Sequence, residues 1–156
     1  MSKPTSSGIY IISDQYFADY PNNRYMQNKD ENRPHYYAIE DGDLFWMVPL
    51  SSKVDKYRRK ISDIEAKSGT GNCFMFVIAK VSGRERAFLI ADMFPVTEEY
   101  ISRPYMVGGV PLVIQNQAVQ AEIRKKANRF LSMVKRGLVK SPVNALSTKA
   151  QILKCH

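Results

Sequence analysis

The stretch "HYYAIEDGDLFWMVPLSSKVDKYRRK", residues 35–60, decides the architecture. Two runs of apolar and ring residues flank Asp41-Gly42, a dipeptide that readily takes the positive backbone angles of a tight hairpin, so they read as two antiparallel strands. The second run ends at Pro49-Leu50, and Ser51, Ser52 and Lys53 follow at once. From Val54 to Lys67 the period changes. Tyr57, Ile61 and Ile64 recur at spacings of four and three, the mark of an amphipathic helix that "KSGTGN" terminates. Lys56, Arg58, Arg59 and Lys60 ring that helix.

Toward the N-terminus, Ile9 to Ser13 reads as a short strand, and "DQYFADYP" supplies one helical turn before Pro21 stops it. "NNRYMQNKDENRPH" has almost nothing to bury, which predicts a long surface loop between Pro21 and His35. On the other side, "CFMFVIAKVSGRERAFLIADMFPV" forms a second hairpin around Ser82-Gly83, and Val110 to Ile114 is a further strand. Asn116 caps a long helix running to about Arg136, with Val119, Ile123, Ala127, Phe130, Leu131 and Val134 on one face at about 100° per residue. Gly137 ends it, and Ser141-Pro142 opens a last short helix carrying Leu146, Ile152 and Leu153. Lys125, Arg129 and Arg136 project away from the apolar stripe of the long helix, while Arg124, Lys126 and Lys135 flank it. The expectation is one α+β domain over residues 1–156, with antiparallel strands in a small curved sheet or barrel and two main helices.

Twenty-three Lys and Arg against fifteen Asp and Glu leave a net charge of +8, which favours a polyanionic partner through long-range attraction. Cys73 and Cys155 suit neither a disulfide framework nor a zinc site, and fit a reducing cytoplasm. No apolar span approaches membrane length, so neither membrane nor metal is implied, and no cofactor motif is present. "SGTGN" lacks the ending of a phosphate-binding loop, and Ser132 with Lys135 lies inside the amphipathic helix, so neither reads as a catalytic motif.

Ser51, Ser52 and Lys53 admit two readings. Serines at a strand-to-helix boundary commonly cap the helix by accepting backbone N–H bonds. Alternatively, two hydroxyls, the helix N–H groups and an ammonium converge where a phosphate sits, a cradle for charge growing on phosphorus during RNA cleavage. Such cleavage uses the substrate's own 2′-OH and needs only positioned proton donors, acceptors and cations. His35 titrates near neutral pH unless it is merely a packing residue, and Arg33 beside it is either a phosphate contact or a solvated loop residue. Tyrosines among cations, as in "NRYMQNK" and "DKYRRK", suit bases stacked in single-stranded RNA.

"IYIISDQYF", "FWMVPLSSK" and "NQAVQAEIRKKANRFLSMVKRG", in that order, resemble the toxins of type III toxin-antitoxin systems, the ToxN, AbiQ, CptN and TenpN group. The resemblance implies a compact antiparallel SH3-like (Kid/MazF-like) β-barrel with flanking helices. It also implies a metal-independent endoribonuclease leaving 2′,3′-cyclic phosphate and 5′-hydroxyl ends, with a part in defence against phage. The implied partners are cellular RNA and an inhibitory antitoxin RNA, a repeat-derived pseudoknot that assembles with the toxin. The family's hydroxyl pair falls on Ser51 and Ser52, its tyrosine on Tyr16 and its lysine on Lys53, although members commonly place a proline before the lysine and Lys56 lies close by. Lys53 would stabilise charge, Ser52 would position a phosphate oxygen, and Tyr16 or His35 would transfer protons. Arg33, Lys56, Arg58 and Arg59 would hold substrate, and Lys125, Arg129 and Arg136 the antitoxin backbone. A non-catalytic RNA-binding regulator is the rival reading, and a small serine hydrolase lacks a base and a nucleophile elbow.

Overall fold

The computed structural model describes residues 3–25 and 31–155. In chain order the elements are β1 (Ile9–Ile12), α1 (Asp14–Asp19), β2 (Pro34–Asp41), β3 (Leu44–Ser51), α2 (Val54–Ser68), β4 (Phe76–Val81) and β5 (Arg84–Leu89). There follow β6 (Phe94–Val96), β7 (Ile101–Pro104), β8 (Met106–Val107), β9 (Val110–Pro111), α3 (Gln117–Lys135) and α4 (Ala145–Lys154). Short 3-10 turns at Ile90–Asp92 and Glu98–Tyr100 bracket β6.

The hairpin of residues 35–50 is the centre of the sheet. Gly42 takes a φ of 59°, and the ladder runs from Asp41 opposite Leu44 to His35 opposite Pro49, with a register shift between Tyr37 and Ile39. All eight residues of β3 are buried. The strand order is β4-β5-β3-β2-β1-β7, entirely antiparallel, and β6 also pairs with β3. β3 is therefore forked: Phe45, Trp46 and Met47 face Val96, Pro95 and Phe94, while Leu50 and Ser51 face Phe88 and Ala87. This length of strand can serve two partners because they attach to different halves of it.

The expected barrel is not what forms. The sheet is open, with β4 and β7 at its two ends, and α3 covers it at β2 and the Ile90–Asp92 turn. α3 begins at Asn116, whose side chain accepts from the N–H groups of Ala118 (2.9 Å) and Val119 (3.2 Å). It contributes Ile123, Ala127 and Phe130, each 0% exposed, to the same apolar core that holds Trp46, Phe88 and Phe94. Each large side chain so buried contributes about 1.5–3 kcal/mol, enough to hold the open face against solvent. α2 packs on the opposite side, where Tyr57 meets Ala87 and Leu89 with Phe76 and Ile78 around them.

Two other expectations change. The strand expected over Val110 to Ile114 is confined to β9, paired with β8 across Gly108-Gly109, and Val113 makes only an isolated bridge to Gly8. The loop expected from Pro21 to His35 ends earlier, since β2 starts at Pro34; residues 26–30 lie outside the described residues. No helix among the described residues is long and apolar enough to cross a membrane.

Candidate functional site

β3 delivers the chain to Ser51, which is 5% exposed and still paired with Ala87. Its Oγ accepts from the N–H of Lys53 at 3.1 Å, a local turn that swings the chain from strand to helix. The hydroxyl of Ser51 is thus engaged by the turn that precedes α2, not by the first turn of the helix itself. Ser52 and Lys53 are exposed. Lys53 occupies the N-cap position of α2 and gives it no side-chain cap, so the positive end of a fifteen-residue helix meets solvent beside an ammonium.

Further cations follow on α2. Lys56 and Lys60 lie over the Tyr57 ring at 5.4 and 5.6 Å, so the buried ring that anchors the helix also steers its charges. Arg58 is drawn to Glu85 at 2.6 Å, which takes it partly out of use, and Arg59 is exposed. Behind the junction stands Arg33, only 8% exposed, whose Nη2 donates to the Leu50 carbonyl at 2.9 Å. Burial lowers its pKa from the ordinary arginine value, while the Tyr57 hydroxyl and Asp92 pull the other way. It supports the end of β3 from inside.

Asp92 was not among the sequence candidates. It closes the 3-10 turn before β6, and burial pushes its carboxyl up although Arg24, Lys60, Arg33 and Lys56 all oppose that shift. With Arg24, His35, Pro49 and Phe94 it lines a narrow pocket of about 10 Å³, room for one water. The sequence disguised it as one polar break in the apolar run "LIADMFPV". A carboxylate with a raised pKa beside a cluster of cations is a recognised sign of a functional site.

His35 and Tyr16 lie inside the protein, not on its surface. His35 is 2% exposed, its Nδ1 stands 3.0 Å from the Arg33 carbonyl, and burial followed by the charge of Arg33 drives its pKa down to about 3. The ring is therefore neutral at physiological pH. Tyr16 is 0% exposed within a ring cluster of Phe17, Tyr20, Tyr25, Phe94 and Tyr100, and its hydroxyl donates to the Pro95 carbonyl at 2.9 Å. Burial, reinforced by Tyr25, raises its pKa far above the ordinary tyrosine value.

A groove of about 410 Å³ opens on the other side of the junction, lined by Pro34, Leu50, Arg84, Arg86, Tyr105 and Leu112 among others. A second concavity of about 360 Å³ continues it past Val81, Ser82 and Val107 to Lys80 and Asn116. Beyond the Ser51–Ala87 pair, the antiparallel ladder carries Ser52 toward Arg86. Arg84 and Arg86 alternate with Glu85 along β5 and share a face, a period-two signal that was present in "GRERAF" but was absorbed into the strand assignment. Lys125, Arg129 and Arg136 are exposed on α3, with the guanidinium of Arg129 4.9 Å from the Phe74 ring, and none of them lines this groove.

No protein family matches the sequence, and no curated protein does. Among solved structures, the chain is similar to lactococcal AbiQ, an anti-phage endoribonuclease belonging to the type-III toxin-antitoxin system. The TM-score is 0.60 over 80% of each chain at 11% identity, so what the two share is a fold.

Proposed function

We propose that the chain is a metal-independent endoribonuclease toxin of the type III kind, acting at the Ser51–Lys53 junction. One observation carries the reading: an open, cationic strand-to-helix junction flanked by an arginine-lined groove, in a chain with the fold of AbiQ. Single-stranded RNA would lie along the groove, with Arg84 and Arg86 on its phosphates and a base on Tyr105. The scissile phosphate would rest against Ser52, Lys53 and the first N–H groups of α2.

In the reaction the substrate 2′-oxygen bonds to phosphorus and the P–O5′ bond breaks, leaving a 2′,3′-cyclic phosphate. The 2′-OH proton passes to Asp92, whose raised pKa brings it nearer the operating pH, and the 5′-oxygen takes a proton from water. Lys53 offsets the charge that grows on the phosphorane. Arg33, Tyr16 and His35 hold the floor from inside. Lys56 and Arg59 extend the cationic surface, and Lys125, Arg129 and Arg136 would bind a repeat-derived antitoxin RNA that keeps the enzyme inactive.

A non-catalytic RNA-binding regulator gains support from one observation, the internal engagement of Ser51, Tyr16 and His35. Incubation of the purified protein with a model RNA in excess EDTA separates the two. Cleavage that persists, gives cyclic phosphate ends by mass spectrometry, and falls at least about a hundredfold in Lys53→Ala supports the nuclease. RNA that stays intact on every substrate supports the regulator.

A further inference from the structure

We infer that the β8–β9 hairpin is a wall for unpaired nucleobases, a role that rests on the RNA reading above and extends it from phosphates to bases. Of the six large apolar side chains exposed among the described residues, four are Met106, Val107, Val110 and Val113, at 44%, 45%, 63% and 42%. Apolar side chains scattered singly over a surface are ordinary. A group of four within eight residues of chain marks a surface that something covers.

The hairpin holds these side chains out from a fixed root. Tyr105 N–H donates to the Ile9 carbonyl and Leu112 N–H to the Tyr105 carbonyl, both at 2.8 Å. At the tip Gly108 and Gly109 take φ of 59° and 77°, the pair of positive angles a two-residue I′ turn requires, and a Cβ on either would meet nothing within 4 Å. Val107 stands opposite Val110, so the two share one face of the ribbon. Both line the concavity of about 360 Å³, while Val107 and Leu112 also line the groove of about 410 Å³ that passes Leu50. The apolar lining is thus continuous through both. The β4–β5 hairpin supplies the charge, Lys80 in the smaller concavity and Arg84 and Arg86 in the groove.

That charge selects the occupant. Among the described residues no carboxylate lines either concavity, so the three cations attract an anion. A second copy of the chain, itself at net +8, brings like charge to the same place. The occupant has to be anionic and to carry apolar faces as well, and single-stranded nucleic acid combines the two, with phosphates on the arginines and bases against the valines. A paired A-form helix stacks its base faces inside the duplex and offers hydroxyls and base edges in its shallow groove, which leaves the valines without a partner. The hairpin therefore makes the groove selective for unpaired RNA.

Fluorescence anisotropy of the whole chain with labelled 2′-O-methyl oligonucleotides, which have no free 2′-OH to react, reads binding apart from cleavage. An unpaired oligomer is expected to bind about tenfold more tightly than a self-paired hairpin of the same length, or than an abasic oligomer that keeps only the phosphates. Val107→Ser with Val110→Ser should weaken the unpaired oligomer about tenfold and the abasic one less than about twofold. The slope of log affinity against log salt should not change, because no phosphate contact is lost. Val110→Phe, with a larger face for stacking, should bind the unpaired oligomer more tightly than wild type, a gain that misfolding cannot produce. A serine double variant that binds the unpaired oligomer as wild type does, or that loses the abasic one equally, overturns the assignment. So does a chain that dimerises through this hairpin in sedimentation, or polyglutamate that binds as tightly as the unpaired oligomer. The nuclease reading fails separately, by RNA that is held in this way yet stays uncut in EDTA.

Discussion

His35 enters the core as a neutral imidazole, and the unfolded chain gives it back its ordinary pKa of 6.5 against about 3 in the folded protein. Because the folded value is depressed, the unfolded state binds more protons between those limits. Stability from this residue is complete above about pH 6.5 and is lost as pH falls toward 3, with a slope of about 1.4 kcal/mol per pH unit. Urea midpoints at pH 7, 5.5 and 4 should therefore decline in the wild type and flatten in His35→Asn, whatever the absolute stability of the variant. Tyr16 makes a different prediction. Tyr16→Phe strands the Pro95 carbonyl and should cost about 1–3 kcal/mol, while the cleavage rate per folded molecule stays near that of wild type. A hundredfold loss of rate with little loss of stability would return Tyr16 to the chemistry.

At the scale of elements, α2 is held by one ring. Tyr57→Ala should destabilise the protein by about 3 kcal/mol, because Ala87, Leu89, Phe76 and Ile78 would face a void. By contrast Glu85→Ala, which breaks the 2.6 Å pair with Arg58, should change chemical-denaturation stability by less than about 1 kcal/mol, since both side chains are about half exposed. These helices and the central hairpin were legible in the sequence for a local reason. Asp41-Gly42, the spacing of Tyr57 with Ile61 and Ile64, and Asn116 before the α3 stripe each act within a few residues. The pairing of β3 with β5 and β6 is not local, and no spacing in the chain announces it. For the same reason Ser51 to Lys53 could be read as a junction, whereas the gathering of Arg24, Arg33, Lys56 and Lys60 around Asp92 could not be foreseen.

For the whole molecule, charge and sheet shape act together. The net +8 favours an anionic partner but did not indicate that arginines of the β4–β5 hairpin would line a groove beside the end of β3. If Arg84 and Arg86 each neutralise one phosphate, the double alanine variant should bind RNA more weakly at every sequence tested. The slope of log affinity against log salt should then shrink by about 1.4, twice the single-strand value of about 0.7 per phosphate. An unchanged slope would place the RNA elsewhere. The barrel expected from family resemblance does not close: β4 and β7 remain the two ends of the sheet, and α3 packs against β2. The fork of β3 also bears on biosynthesis. A nascent chain that has left the ribosome only as far as residue 83 possesses Ser51, Ser52 and Lys53 but not the strand that flanks them. The junction gains its flanking strands only after β5 and β6 have been translated and docked, so under the proposed function a chain terminated before Arg84 is expected to leave a model RNA uncut.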